Sequence, residues 1–400
     1  MTSSPLRAGL DRVSQAMAAR VEKGELPGMV LLVSQGDETL VEPIGVTTRG
    51  GDEPMRRDTI FRVGSMTKAV LAAATMTLVE DGTLRLDEPV DRLLPELAGR
   101  RVLRRLDGPL DDTVPARRPI TVEDLLTFRM GYGLVFGTTP DSPYPTVDLP
   151  YPVIEAAKEL DLVTGPPDPR TPHDPDEWMR RFGTLPLMHQ PGERWQYNTA
   201  SLVLGVLVSR ASGMPLGDLF GTRLFEPLGM AETGFHLPAE RLGRLPVHYM
   251  TGPTGELTPQ TRTTPEDWTG EPVFPSGAAG LVSTVDDYLA FARMLLAGGV
   301  HEGRRVLSER SVELITTDHL TAEQRATGDI VLGRQGWGYG VAVVTEPDEI
   351  SAVPGRYGWD GGYGTVWFNH PARNLVVMAM TQTSDFLFNG SLADLGRLDQ

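Results

Sequence analysis

The 400-residue sequence contains no cysteine. That excludes disulfides, thiolate metal sites and a cysteine nucleophile together. Lysine is almost missing as well: of 37 basic residues only Lys23, Lys68 and Lys158 are lysines, and the rest are arginine. No apolar run approaches the ~18 residues of a membrane-spanning helix. Positive charge is short overall, 37 basic residues facing 53 acidic ones for a formal net charge of −16. Such a surface repels phosphate backbones and anionic lipid, so neither nucleic acid nor a membrane is an expected partner. The seven histidines show no ligand spacing, and His301-Glu302 lacks the second histidine of H-E-x-x-H, so no metal is expected. No serine stands in G-x-S-x-G, and no Walker or G-x-G-x-x-G loop lies between a strand and a helix, which leaves no expected cofactor. Leu6, Leu10, Val13 and Met17 sit at helical spacing near the N-terminus. That stretch lacks the roughly 7–15-residue apolar core of a signal peptide, so cytoplasmic residence is the default expectation.

The remaining composition, 40% hydrophobic and 22% charged, is that of a globular protein with ample core. Met29–Ser34 and Thr39–Gly45 are β-rich runs around Gln35-Gly36-Asp37, a hairpin signal. Thr59–Val63 reads as extended. From Ser65 to Val79 the pattern is helical and apolar nearly all round, which places that helix in the interior. Residues 83–275 are rich in Pro and Gly, with helical stretches near Val122–Phe128, Val153–Leu160, Pro175–Phe182, Thr199–Ser209 and Leu216–Leu224. Segment 134–175 is the most proline-dense and carries Phe136, Tyr144 and Tyr151, the pattern of a substrate-covering loop. A helix over Asp286–Leu296 then precedes β-type runs at Gly338–Val344, Gly364–Phe368 and Leu375–Thr381. Strands at both ends with helices between predict an α+β fold. Residues 1–64 and 277–400 would form one antiparallel sheet flanked by helices, with 65–276 inserted as a mainly helical domain and the active site at the junction.

Ser65-Met66-Thr67-Lys68 is the strongest candidate for chemistry. A strand-to-helix junction exposes its first side chain and leaves backbone N–H groups free for an oxyanion. The i,i+3 spacing puts Lys68 on the face of Ser65, about 5–6 Å away at Cβ. A lysine acts as a base only when neutral, and an apolar helix favours that form; arginine never deprotonates. One of only three lysines in an arginine-preferring chain lies in its most apolar helix. The S-x-x-K pattern fixes only two positions, and chance matches are common. Two other stretches give it context. Pro191-Gly192-Glu193-Arg194-Trp195-Gln196-Tyr197 brings a tyrosine to the start of an apolar helix, where its phenol could relay a proton or simply pack. Trp359-Asp360-Gly361-Gly362-Tyr363-Gly364 puts consecutive glycines beside a strand, permitting close approach to a ligand or a plain hairpin turn.

Together these resemble the serine β-lactamase and penicillin-binding-protein superfamily, and most of all the family VIII carboxylesterases. Phe61–Lys68, Ile120–Leu126, Pro227-Leu228-Gly229-Met230 and Gly280–Thr284 carry the resemblance over nearly the whole chain. It implies a β-lactamase-like fold with Ser65 as nucleophile, Lys68 as its base and Tyr197 as the partner sharing the proton. It further implies an oxyanion hole from the N–H groups of Ser65 and Gly362, and a substrate wall of Trp359, Asp360, Gly361 and Tyr363. Where relatives carry Lys-Thr-Gly, this chain has Trp359-Asp360-Gly361, so the cation for a substrate carboxylate is gone. The asparagine often found two residues after the tyrosine is Thr199 here. The implied activity is hydrolysis of small-molecule carboxylic esters through an acyl-enzyme. Acyl transfer by the same intermediate, β-lactam or D-amino-acid peptide cleavage, and a non-catalytic binding protein are the alternatives. Phe136, Tyr144, Trp178, Trp195 and Trp268 are further pocket candidates.

Overall fold

The computed structural model describes residues 4–137, 146–147, 149–164, 171–252, 255–347, 353–387 and 395. Its centre is a seven-stranded antiparallel sheet. Two strands come from the N-terminal part, β1 (Gly28–Gln35) and β2 (Glu38–Gly45). Five come from the C-terminal part: β3 (Gly336–Trp337), β4 (Ala342–Val343), β5 (Tyr357–Gly361), β6 (Thr365–His370) and β7 (Leu375–Thr381). The spatial order is β3-β4-β5-β6-β7-β1-β2, so β1 and β7 join the two ends of the chain, with Leu31 opposite Ala379.

The sheet is covered on both faces, which explains the unbroken apolar run of β1. Helix α1 (Pro5–Glu22) lays Leu10, Val13 and Met17 on Met29, Leu31, Val33, Val377 and Ala379. The alternate residues Val30, Leu32, Val376, Met378 and Met380 enter the main core with α2 (Thr67–Glu80). This period of two is what a pleated strand buried on both sides requires. In α2 every residue from Thr67 to Leu78 is buried, as an apolar helix without a polar face demands. Its interior hydroxyls are satisfied locally, Thr75 donating to the Leu71 carbonyl at 2.8 Å. Two more apolar helices, α3 (Thr199–Ser212) and α4 (Val285–Leu296), complete that core. No single helix among the described residues is long and apolar enough to cross a membrane.

Two features depart from the expectations, and one expected residue is not described. The run 338–344 is not one strand: it turns between β3 and β4, because Gly338 lies against the Ile315 carbonyl and Gly340 against the Lys68 carbonyl. Ser65 is not inside the α-helix but in a single 3₁₀ turn, Gly64–Met66, immediately before it. Tyr144 lies outside the described residues.

Candidate active site

The site begins with Gly64. Its φ of +53° is a left-handed conformation that only glycine adopts freely. It aims the chain from the short Phe61–Arg62 strand into the 3₁₀ turn. A Cβ here would lie 3.1 Å from both the Gly361 Cα and the Gly362 nitrogen, so the end of β5 rests directly on the turn. The turn is pinned on its other sides: Thr365 Oγ1 donates to the Val63 carbonyl at 3.1 Å, and Tyr288 OH donates to the Met66 carbonyl at 3.0 Å. Gly64, Met66, Thr67 and Lys68 are buried and Ser65 alone is partly open, so its hydroxyl is the accessible group of the turn.

Lys68 is 1% exposed, and its Nζ contacts three oxygens: Ser65 Oγ at 2.9 Å, Asn198 Oδ1 at 2.9 Å and the Ala278 carbonyl at 2.6 Å. Burial pushes this amine well below the ordinary lysine range, and the carboxylate of Asp360 only partly opposes that shift. A neutral amine has two N–H donors and one lone pair. In that form Asn198 Oδ1 and the Ala278 carbonyl, which can only accept from it, would engage its two N–H groups and its lone pair would be open to the Ser65 hydroxyl.

Tyr197 arrives from the opposite side. Its phenol shares a hydrogen bond with Ser65 and accepts one from the indole Nε1 of Trp359 at 2.8 Å. Its ring lies 4.6 Å below Lys68 Nζ and among Phe128, Phe136, Trp195, Trp337 and Trp359. Burial, reinforced by Asp360, pushes the phenol well above its ordinary value. The two groups beside Ser65 are thus driven in opposite directions. Burial favours the uncharged form of each, the free amine and the protonated phenol.

Asn198 went unrecognised in the sequence. Its backbone (φ 78°, ψ −61°) with the Thr199 N–H to Tyr197 carbonyl bond at 3.1 Å is a rare, strained γ-turn directly before α3. Such strain, on the order of 1–3 kcal/mol, persists where the surroundings enforce it. Here it turns the amide onto Lys68, while Asn198 Nδ2 donates to the Thr164 carbonyl at 2.7 Å. The amide missing at position 199 is therefore present one residue earlier. Thr199 itself is buried, and its hydroxyl has no hydrogen-bond partner among the described residues.

The remaining expected residues divide. Trp359, Asp360 and Gly361 lie on β5 beside the turn. A Cβ at Gly362 would meet nothing within 4 Å, so that residue faces open space. The N–H groups of Ser65 and Gly362 take part in no turn or loop hydrogen bond among the described residues. Tyr363 does not line the cleft. The chain reverses between β5 and β6, and its ring packs into a separate cluster, 4.9 Å from His248 and 6.4 Å from Trp268. Trp268 belongs to that cluster beneath Arg62, and Trp178 is core, stacked on Phe182. Trp195 stacks on Tyr197, and Phe136 touches the same ring. Among the described residues no group of three or more His, Cys, Asp or Glu side chains could hold a metal ion.

The Beta-lactamase family model matches residues 13–399. Protein Rv1367c of Mycobacterium tuberculosis is 39% identical over 371 residues, spanning 90% of this chain and 87% of its own. Esterase EstB of Burkholderia gladioli is 31% identical over 405 residues, spanning 96% and 92%. Among solved structures, EstCE1, described as a hydrolase with promiscuous acyltransferase activity, superposes with a TM-score of 0.80 at 23% identity over 99% of each chain.

Proposed function

Since the chain belongs to the Beta-lactamase family, whose esterase and acyltransferase members point to a serine acyl-enzyme, we propose that it is a carboxylesterase with Ser65 as nucleophile and Lys68 and Tyr197 as its proton relay. One observation carries this reading. Lys68 Nζ lies 2.9 Å from Ser65 Oγ, with its other two contacts fixed on acceptors. We take residues 1–64 and 277–400 as one domain, 65–276 as a second, and the site as their junction.

In acylation the Ser65 oxygen attacks the ester carbonyl and its proton passes to the Lys68 amine. The N–H groups of Ser65 and Gly362 receive the oxyanion, and removing one such donor typically lowers the rate about 10²–10³-fold. The C–O bond to the alcohol breaks, the leaving oxygen takes the Tyr197 proton, and the Lys68 ammonium returns a proton to the phenolate. Water then attacks the acyl carbonyl, giving its proton to Lys68; the acyl bond to Ser65 breaks, the serine oxygen takes that proton back from the Lys68 ammonium, and the acid product leaves.

Trp359 does not supply the charge of the usual lysine. Its indole holds the Tyr197 oxygen but brings no charge to a substrate carboxylate. A carboxylate left without its cation loses a bond of roughly 1.5–3 kcal/mol, so uncharged esters are favoured over β-lactams and D-alanyl peptides.

The test is hydrolysis of p-nitrophenyl acetate and butyrate by wild type, Ser65→Ala and Lys68→Ala, with fluorophosphonate labelling of Ser65. Activity surviving in both variants refutes the reading. Acyl transfer is the second reading, favoured by the likeness to EstCE1; added alcohol acceptors that turn acid product into ester would establish it.

A further inference from the structure

Among the aromatic side chains around Tyr197, one differs from the rest. Phe128, Trp195, Trp337 and Trp359 are buried, with ring centroids 5.8, 5.7, 6.5 and 5.7 Å from that of Tyr197. Phe136, at 6.3 Å and tilted by 47°, keeps part of its surface open, as Tyr197 itself does. Among the described residues Phe136 makes no other ring contact, so it meets Tyr197 from a side that the buried four leave free.

The backbone enforces this contact. The chain leading to Phe136 runs beside the loop that carries Tyr197: Gln196 N–H donates to the Phe128 carbonyl at 2.8 Å, and Leu134 N–H donates to the Tyr197 carbonyl at 3.0 Å. Between these bonds Gly133 passes so close that a Cβ would lie 2.7 Å from the Tyr197 carbonyl oxygen. Two residues past Leu134, Phe136 pairs with Val147 in a short antiparallel ladder. Leu149 packs on the neighbouring Gly137, where a Cβ would lie 2.9 Å from the leucine Cδ1. Val135 and Leu149 are partly open too, so the surface beside Tyr197 is apolar and tied to the Tyr197 backbone.

The proposed relay decides which part of a substrate meets that surface. The leaving alcohol oxygen takes its proton from the Tyr197 hydroxyl, so the carbon body of the alcohol starts beside Tyr197. The partly open ring in contact with Tyr197 is Phe136. An aromatic body there gains by leaving water and by ring–ring contact. A polar one would give up its hydration without a hydrogen bond in return. We infer that Phe136 is a specificity-determining residue that selects esters whose alcohol carries an aromatic ring close to the ester oxygen. The inference rests on the ester-cleaving reading and names its substrate class.

Benzyl acetate and methyl phenylacetate test it, with methyl acetate as the common reference. The first two are isomers carrying the same phenyl ring, on the alcohol side in one and on the acyl side in the other. The readout is kcat/KM for each, divided by that for methyl acetate, in wild type, Phe136→Ala, Phe136→Leu and Phe136→Tyr. Division cancels effects on the nucleophile, and comparison between variants cancels the intrinsic difference in leaving group. A ring pair contributes about two- to twelvefold beyond the area it buries. The benzyl ratio should therefore fall at least threefold in Phe136→Ala, and in Phe136→Leu should the smaller side chain prevent folding. Phe136→Tyr keeps the ring and should keep most of the ratio, while the phenylacetate ratio should hold within twofold throughout. A smaller fall of the benzyl ratio overturns the inference. So does a phenylacetate ratio that falls as far, or a loss in Phe136→Tyr equal to that in Phe136→Ala, since either makes the effect one of general shape. A wild type that cleaves p-nitrophenyl acetate but not benzyl acetate overturns this inference alone. Absence of fluorophosphonate labelling and of any turnover in wild type instead refutes the esterase reading, and this inference with it.

Discussion

Asn198→Asp is the sharpest test of Lys68 as the base. The substitution keeps the side-chain shape, and aspartate, like asparagine, tolerates positive φ. The γ-turn should therefore survive. What changes is the acceptor 2.9 Å from Lys68 Nζ, from a neutral amide oxygen to a carboxylate. A full charge pair at that distance would contribute close to 6 kcal/mol at an effective dielectric of about 20. Desolvating the new carboxylate offsets most of that. A lower bound comes from hydrogen bonds alone: those to charged groups exceed neutral ones by about 1–1.5 kcal/mol, or about one pKa unit. The expected rise in the Lys68 pKa is thus about one to two units. The ammonium cannot accept the Ser65 proton, so activity is lost below the raised pKa and returns above it. The acid limb of the kcat/KM profile for p-nitrophenyl acetate should move to higher pH by that amount, with a ten- to hundredfold deficit below it. Recovery on the alkaline side distinguishes this from misfolding. A loss of equal size at every pH would mean that Asn198 only holds the backbone and Lys68 is not the base.

Three further substitutions probe the rest of the site. Asp360→Asn removes the charge that holds Lys68 up, so the acid limb for a neutral ester should move down, opposite in sign to Asn198→Asp; an upward move would contradict the assignment. Trp359→Phe keeps the ring but deletes the N–H 2.8 Å from the Tyr197 oxygen. A bond of about 0.5–1.5 kcal/mol predicts roughly a 2- to 12-fold fall in kcat, and an unchanged kcat would remove the indole from the relay. Gly64→Ala adds a methyl 3.1 Å from the Gly362 nitrogen at a φ of +53°. It should cost about 1–2 kcal/mol in a urea titration and, by shifting β5, about 10² in kcat; full kcat in a stably folded variant would exclude Gly362 as an oxyanion donor.

What could be read from the sequence followed from strong local signals. The hairpin of β1 and β2, helix α2, the helix over Pro175–Phe182 and strand β7 each rest on a periodicity or a turn signal that tertiary context did not override. Lys68 stood out because its charge conflicts with its surroundings, and the fold resolves that conflict by giving the amine three oxygens. Asn198 was hidden because a γ-turn with positive φ at a non-glycine has no sequence signature. The tryptophan at 359 could be read as an absent lysine, but its bond to Tyr197 depends on how β5 meets the loop that precedes α3. Tyr363 was misplaced because the direction of a side chain across a glycine turn is set by the turn and not by proximity in sequence. The division of the 338–344 run comes from backbone contacts with residues 315 and 68, which no local window contains.

In the proposed relay, the opposite displacements of Lys68 and Tyr197 set the direction in which protons would move. Were both groups unperturbed, each would hold its proton near neutral pH and neither could accept one from serine. Burial lowers the amine and raises the phenol, so the same desolvation creates one acceptor and one donor on either side of a single hydroxyl. A donor that held its proton too firmly would stall when the alcohol leaves. The Trp359 indole eases that step by donating to the phenol oxygen, which favours the phenolate formed as the proton departs. An ammonium at position 359 would do so more strongly, but would also attract carboxylates. An uncharged donor there suits the proposed relay acting on a substrate that brings no charge.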